Sequence, residues 1–129
     1  MNSFLRKTLI VVLVMALVAV AGWAGRKAYR KATLHRLLTE ASQYIEKQDI
    51  KQASLCLRQA LSVNPFDVNA NQLMADMLED AGSPAALGWR IRCAQLETNN
   101  VDFRLAWART ALKINDVSSA AHALGGIDE

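Results

Sequence analysis

Two histidines, two cysteines and one run of carboxylates are the side chains on which chemistry could be built. His35 and His122 stand 87 residues apart. Neither has a cysteine or an acid at the spacing of a zinc ligand set, so no metal site is expected. Cys56 and Cys93 also lack such partners. As small, readily buried side chains they read as helix packing, and their spacing alone does not decide for a disulfide or a redox compartment. Asp76, Glu79 and Asp80 lie within a turn and a half of one predicted helix. Paired carboxylates do general acid–base work when two different enclosures pull their pKa values apart, whereas an open helix face solvates them all alike. No glycine-rich phosphate loop and no Gly-x-Ser-x-Gly turn occurs in the sequence. The expectation is a protein that is not an enzyme in itself and holds no cofactor.

The elements that carry these residues are helices of repeated design. In Leu37–Pro65, Ala41, Tyr44, Ala53, Leu57, Ala60 and Pro65 follow one another at spacings of 3, 9, 4, 3 and 5. Ala41 and Tyr44 share a face of a first helix, and Ala53, Leu57 and Ala60 line one face of a second. Alanines let two helix axes approach, bulky neighbours fill the remaining gaps, and Pro65 ends the second helix. Moving 34 residues along, Ala41 becomes Ala75, Tyr44 Leu78, Ala53 Leu87, Leu57 Ile91 and Ala60 Ala94. A further 33 turns Ala75 into Ala108, Leu87 into Ala120 and Ile91 into Leu124, with one residue dropped from the second connection. The predicted helices cover 34–47, 50–63, 68–81, 84–97, 101–114 and a sixth opened by Asn115-Asp116. Asp67 is the expected N-cap of the third, Gly82 its C′ residue, and Ser83-Pro84 the start of the fourth. No alternating strand pattern is present.

This pattern resembles the tetratricopeptide repeat. It departs from it at Glu40, where the family has an apolar residue, and at Asn99, where it has the terminal proline. The resemblance implies an all-α fold, an α-solenoid of about three helix–turn–helix repeats (34–67, 68–100 and 101–129), which follows the N-terminal transmembrane helix expected from the apolar run of residues 8–25. It also implies that first helices line a concave groove for a protein or peptide partner. The groove positions would be His35, Leu38, Ser42 and Ile45, then Asn69, Gln72, Asp76 and Glu79, then Asp102, Leu105, Arg109 and Leu112. The family's Lys, Arg and Asn clamp for a C-terminal carboxylate is missing from them. Acidic Asp76, Glu79 and Asp80 flanked by Leu38, Ile45, Leu105 and Leu112 suit an amphipathic segment with a few Lys or Arg.

The net charge of +3 is made of two opposed parts. The first 36 residues carry seven basic side chains and no acid, and the remainder carries 8 basic and 12 acidic ones. The repeats are therefore mildly acidic, which removes the electrostatic basis for nucleic-acid binding. Residues 8–25 are uncharged and lie between Arg6-Lys7 and Arg26-Lys27. As a helix they reach about 27 Å, near the roughly 30 Å of a bilayer core. Trp23 and Tyr29 sit at one end, where such rings favour the interface. Ala19-Val20-Ala21 fits a signal-peptidase site, but the apolar run passes beyond it into a dense cationic cluster, which favours a retained anchor. Residues 26–36, without Gly or Pro, can carry the helix on into the first repeat as a basic stalk. Its cations set topology or meet anionic lipid headgroups.

Residues 1–33 thus form an anchor with its stalk and 34–129 a repeat domain, in a single-pass membrane protein, as in a bacterial inner membrane. Charge asymmetry slightly favours the cytoplasm for the repeats, while the resemblance pulls outward. The expected function is a membrane-anchored scaffold that tethers a protein partner. The alternatives are the front portion of a longer membrane enzyme or transport component, and an exported protein released by cleavage. The end of the sequence, Ala123 to Glu129, supplies no polar capping helix, which favours a longer array.

Overall fold

The computed structural model describes residues 3–125, which form six α-helices and no strand. Helix α1, Ser3–Glu46, runs unbroken for 44 residues through the apolar stretch, the basic stretch and the first repeat position. Nothing in it stops a helix: proline is absent, and a Cβ at Gly22 or Gly25 would meet no neighbour. The Thr8 hydroxyl donates back to the carbonyls of Phe4 and Leu5, so the helix itself satisfies the one hydroxyl of the apolar stretch. After α1 come α2 (Ile50–Val63), α3 (Val68–Asp80), α4 (Ala86–Leu96), α5 (Val101–Lys113) and α6 (Val117–Leu124). The sequence after Gly125, part of the expected end of the array, lies outside the described residues.

The repeat shows most plainly in its turns. Gln48, Gly82 and Asn115 adopt φ values of 58°, 67° and 60°, the left-handed conformation that closes a helix. They follow one another at the 34- and 33-residue steps of the apolar pattern. In each turn the next residue's N–H reaches back five positions, from Asp49 to Tyr44, Ser83 to Leu78 and Asp116 to Ala111. That bond caps the carbonyl end of one helix, and two of the same residues cap the start of the next. The carboxylate of Asp49 accepts from the Gln52 N–H at 3.2 Å, and that of Asp116 from the Ser119 N–H at 3.0 Å. Ser83 is the exception. Its hydroxyl accepts from the Ala85 N–H, but the chain passes through i+3 turns from Ser83 and Pro84 before α4 begins at Ala86, two residues later than the serine–proline signal predicts. Between repeats, Asp67 and Asn100 cap α3 and α5.

Successive helices pair antiparallel, α1 with α2, α3 with α4 and α5 with α6. Ala41, Ala53 and Leu57 are fully buried where α1 meets α2, and Met74 and Met77 of α3 extend that core. Leu37, Ala60 and Ala70 form a second contact cluster where the first pair meets α3. The third pair is almost pure alanine, with Ala108, Ala111, Ala120 and Ala123 under Trp107, whose indole N–H donates to Ser119 Oγ at 2.8 Å. Small residues bring the α5 and α6 axes close, and one large ring covers the seam. The result is an α-solenoid of three helical hairpins, the first of which uses the C-terminal part of the long helix α1.

Candidate functional site

The first helix of each hairpin lies beside that of the next. Helix α1 touches α3 directly, and α3 reaches α5 through the side chain of Glu79. This row is the face on which the groove positions were expected, and it divides into three stretches. On α1, Leu38 and Ile45 are half-buried and pack onto the first core, while the Ser42 hydroxyl donates to the Leu38 carbonyl at 3.0 Å. Only His35 there stands in solvent. On α3, Asn69 is exposed and Gln72 half-buried. On α5, Asp102 and Arg109 are exposed, and Leu105 and Leu112 keep 41% and 54% of their surface open. Leu105, Arg109 and Leu112 share one stripe at i, i+4 and i+7. The apolar character of the face is therefore concentrated at α5.

The acidic cluster is not a row of solvated carboxylates. Glu79 is the centre of a network joining the second and third hairpins. The Arg90 guanidinium on α4 donates through Nε to Glu79 Oε2 at 3.0 Å and reaches Asp76 Oδ1 at 2.7 Å. From α5 the Thr110 hydroxyl donates to Glu79 Oε2 at 3.2 Å, and Lys113 Nζ pairs with Oε1. The side chains of Arg90 and Glu79 are only 12% and 16% exposed, so water competes little for their pairing. Asp80 remains exposed. Burial pulls the Glu79 carboxyl upward, but hydrogen bonds from Lys113 and Arg90, with their charges, outweigh it and hold the group at about 2. Burial works likewise against the Arg90 cation, and its bonds to Glu79 and Asp76 more than restore it, raising its pKa.

A carboxyl depressed by folding contributes stability that is present above its unfolded pKa and lost as pH falls through the folded one. Glu79→Gln should therefore destabilise the repeats by about 1–3 kcal/mol at pH 7, the cost of an unmet buried partner. The gap between variant and wild type should narrow between pH 4.5 and about 2, the interval between the group's ordinary and folded values. Thermal melts of both proteins across that range measure it. A constant gap would mean that Glu79 acts by shape and not by charge.

Two features here escape motif reading. Arg90, Thr110 and Lys113 lie 11, 31 and 34 residues from Glu79. None of these separations is the 33-residue step from the second repeat to the third, so no spacing in the sequence points to these contacts. Asn71 is fully buried, and its amide donates to the carbonyls of Pro65 and Asp67 at 3.2 and 2.7 Å, holding the α2–α3 connection against α3. The cysteines are buried free thiols, both raised in pKa, Cys56 by burial and Glu40, Cys93 chiefly by burial. They pack as small apolar residues and offer no reactive thiolate. Among the described residues no group of histidine, cysteine and acidic side chains is placed to hold a metal ion.

No protein-family model matches the chain. No curated protein matches it either. Its fold does match solved structures. PilF of Pseudomonas aeruginosa superposes with a TM-score of 0.60 over 75% of this chain at 16% identity. The chain spans 44% of the length of that protein, less than half. At such identity the likeness speaks for the fold alone. Taken with the three matching turns and the buried alanines, it shows that this chain has a tetratricopeptide-like helical-repeat fold.

Proposed function

We propose that the chain is a membrane-anchored interaction module, whose repeats hold a protein partner beside the bilayer. The observation that carries this reading is the unbroken helix from Ser3 to Glu46. None of the residues in its apolar stretch is buried in the fold, and the same helix supplies Leu37 and Ala41 to the repeat core. An apolar rod that packs against nothing of its own chain gains most by entering lipid, while its far end is fixed in the solenoid. Tethering raises the partner's effective concentration at the surface, and no catalytic step is needed.

The partner contact falls on α5. With Asp76 and Glu79 occupied by Arg90 and Lys113, the open apolar elements of the row are Leu105 and Leu112, which flank the exposed Arg109. An amphipathic helix or strand with two apolar side chains and an acidic group between them meets that stripe. The test compares proteins retained from detergent extract by the full chain and by Leu105→Ser/Leu112→Ser. At least one abundant partner should fall by about tenfold, as expected for central apolar contacts. An unchanged set of retained proteins would remove α5 from the interface. The same module serves equally as the front part of a longer membrane enzyme or transport component.

A further inference from the structure

The basic stretch of α1 does more than follow the apolar one. Trp23, Arg26, Lys27, Arg30, Lys31 and Leu34 recur at three- and four-residue spacings, so they share one helix face, the face that farther along buries Leu37 and Ala41. Beyond the repeats that face overhangs the end of α2, leaving an open cleft of about 610 Å³. The opposite wall is the α2–α3 connection, Val63 to Asp67. Arg30 fixes the two walls together by donating to the Val63 carbonyl at the C-terminus of α2. Lys27 lies over the Trp23 ring, 5.3 Å from its centroid. Asp67 is the single acid of the lining, and its carboxylate is turned to the Ala70 N–H at 2.8 Å as the cap of α3. Arg26, Lys27 and Lys31 form no ion pair among the described residues.

We infer that this cleft binds the phosphate of an anionic phospholipid headgroup, seating the first repeat on the membrane surface. The inference rests on the anchoring reading above, because that reading puts Trp23 at the interface and the four cations at headgroup depth. Topology needs only positive charge near a span. It does not need the cations to converge on one side, nor a wall of folded chain opposite them. A phosphodiester there meets three unpaired cations, and the Trp23 ring lies against the upper acyl chain. The lipid then bridges α1 and the α2–α3 connection, as Arg30 already does within the chain.

Native mass spectrometry of the full chain from neutral detergent micelles tests this, with phosphatidylglycerol, phosphatidylcholine and inorganic phosphate as probes. Phosphatidylglycerol should be retained at roughly tenfold lower concentration than phosphatidylcholine, in line with a surface attraction carried by several cations. Arg26→Gln/Lys27→Gln/Lys31→Gln should lose that preference. Lys47→Gln/Lys51→Gln/Arg58→Gln, with the same loss of charge on the repeats, should keep it. Equal retention of the two lipids, or equal loss in both variants, overturns the inference. Displacement of phosphatidylglycerol by inorganic phosphate at equal concentration also overturns it, since the cleft would then be a free-phosphate site. Alkaline extraction of native membranes separates this from the anchoring reading. Release of the chain removes the anchor, whereas retention without lipid preference removes the cleft site alone.

Discussion

Leu57→Ala should destabilise the repeat domain by about 2–5 kcal/mol, the cost of emptying a fully enclosed leucine site. Leu57 is the largest side chain with no exposed surface, and it lies between Ala41 of α1 and Met74 and Met77 of α3. Alanine leaves a hole that three helices border, and none can move in without parting from another neighbour. At about 4–8 °C per kcal/mol for a domain of this size, the midpoint of thermal unfolding should fall by at least roughly 8 °C. Two other changes on α2 make the test one of register as well as of burial. Ala60 is also fully buried, so Ala60→Leu should cost about 1–3 kcal/mol by overfilling the contact. Arg58 points to solvent, and Arg58→Ser should change stability by less than about 0.5 kcal/mol. Circular dichroism melts of the full chain in one detergent compare the three directly. Similar shifts for all of them would mean that α2 buries a different face.

Those positions were legible because close packing of helices imposes residue types on single positions. Ala41, Ala53, Ala60, Ala75 and Ala108 are all buried, as a recurrence of small residues at helical spacing requires. The helix ends followed from caps with local causes. Asp67 bonds within its own first turn, and Gly82 stands where the backbone must turn left-handed. The start of α4 was misplaced because Ser83 and Pro84 can open a helix or a tighter i+3 turn, and no local signal chooses between them. The third repeat's Leu124 repeats the position of Leu57 yet is 42% exposed, since the short α6 is the last helix described and no described residue covers its outer side.

The functional face was less legible than the core, and electrostatics explains why. A sequence shows which charges a helix carries, but not which of them its neighbours neutralise. Asp76 and Glu79 look like a docking surface until α4 and α5 are placed, when Arg90 and Lys113 occupy them. The apolar positions divide in the same way. Leu38 and Ile45 serve the core because α1 packs against α2 and α3, whereas Leu105 and Leu112 stay open on α5. The basic stretch shows the reverse effect. Its charges are obvious in sequence, but the wall facing them comes from residues more than thirty positions away, so only the fold reveals a cleft.

Val14→Arg should move the chain out of the membrane fraction, and it does so by shifting a balance that the apolar stretch can be counted to hold. Residues 8–25 contain nine Leu, Ile and Val side chains. At about −0.3 to −0.6 kcal/mol each near the centre of a span, the eight left after substitution contribute roughly −2 to −5 kcal/mol. Arginine at the centre costs about 2.5–3.5 kcal/mol, which brings insertion close to break-even. Val14 lies near the middle of the stretch and touches no part of the repeats, so the fold itself should be unaffected. Alkaline extraction of membranes should then release a large share of the variant while wild type stays with the lipid. Circular dichroism of the released chain should still report a folded repeat domain. An apolar helix that served only as an exposed rod in water would respond in the opposite way, since an added charge would make it more soluble without changing where it fractionates. Equal retention of variant and wild type after extraction would therefore mean that Val14 does not sit at the centre of a marginal span.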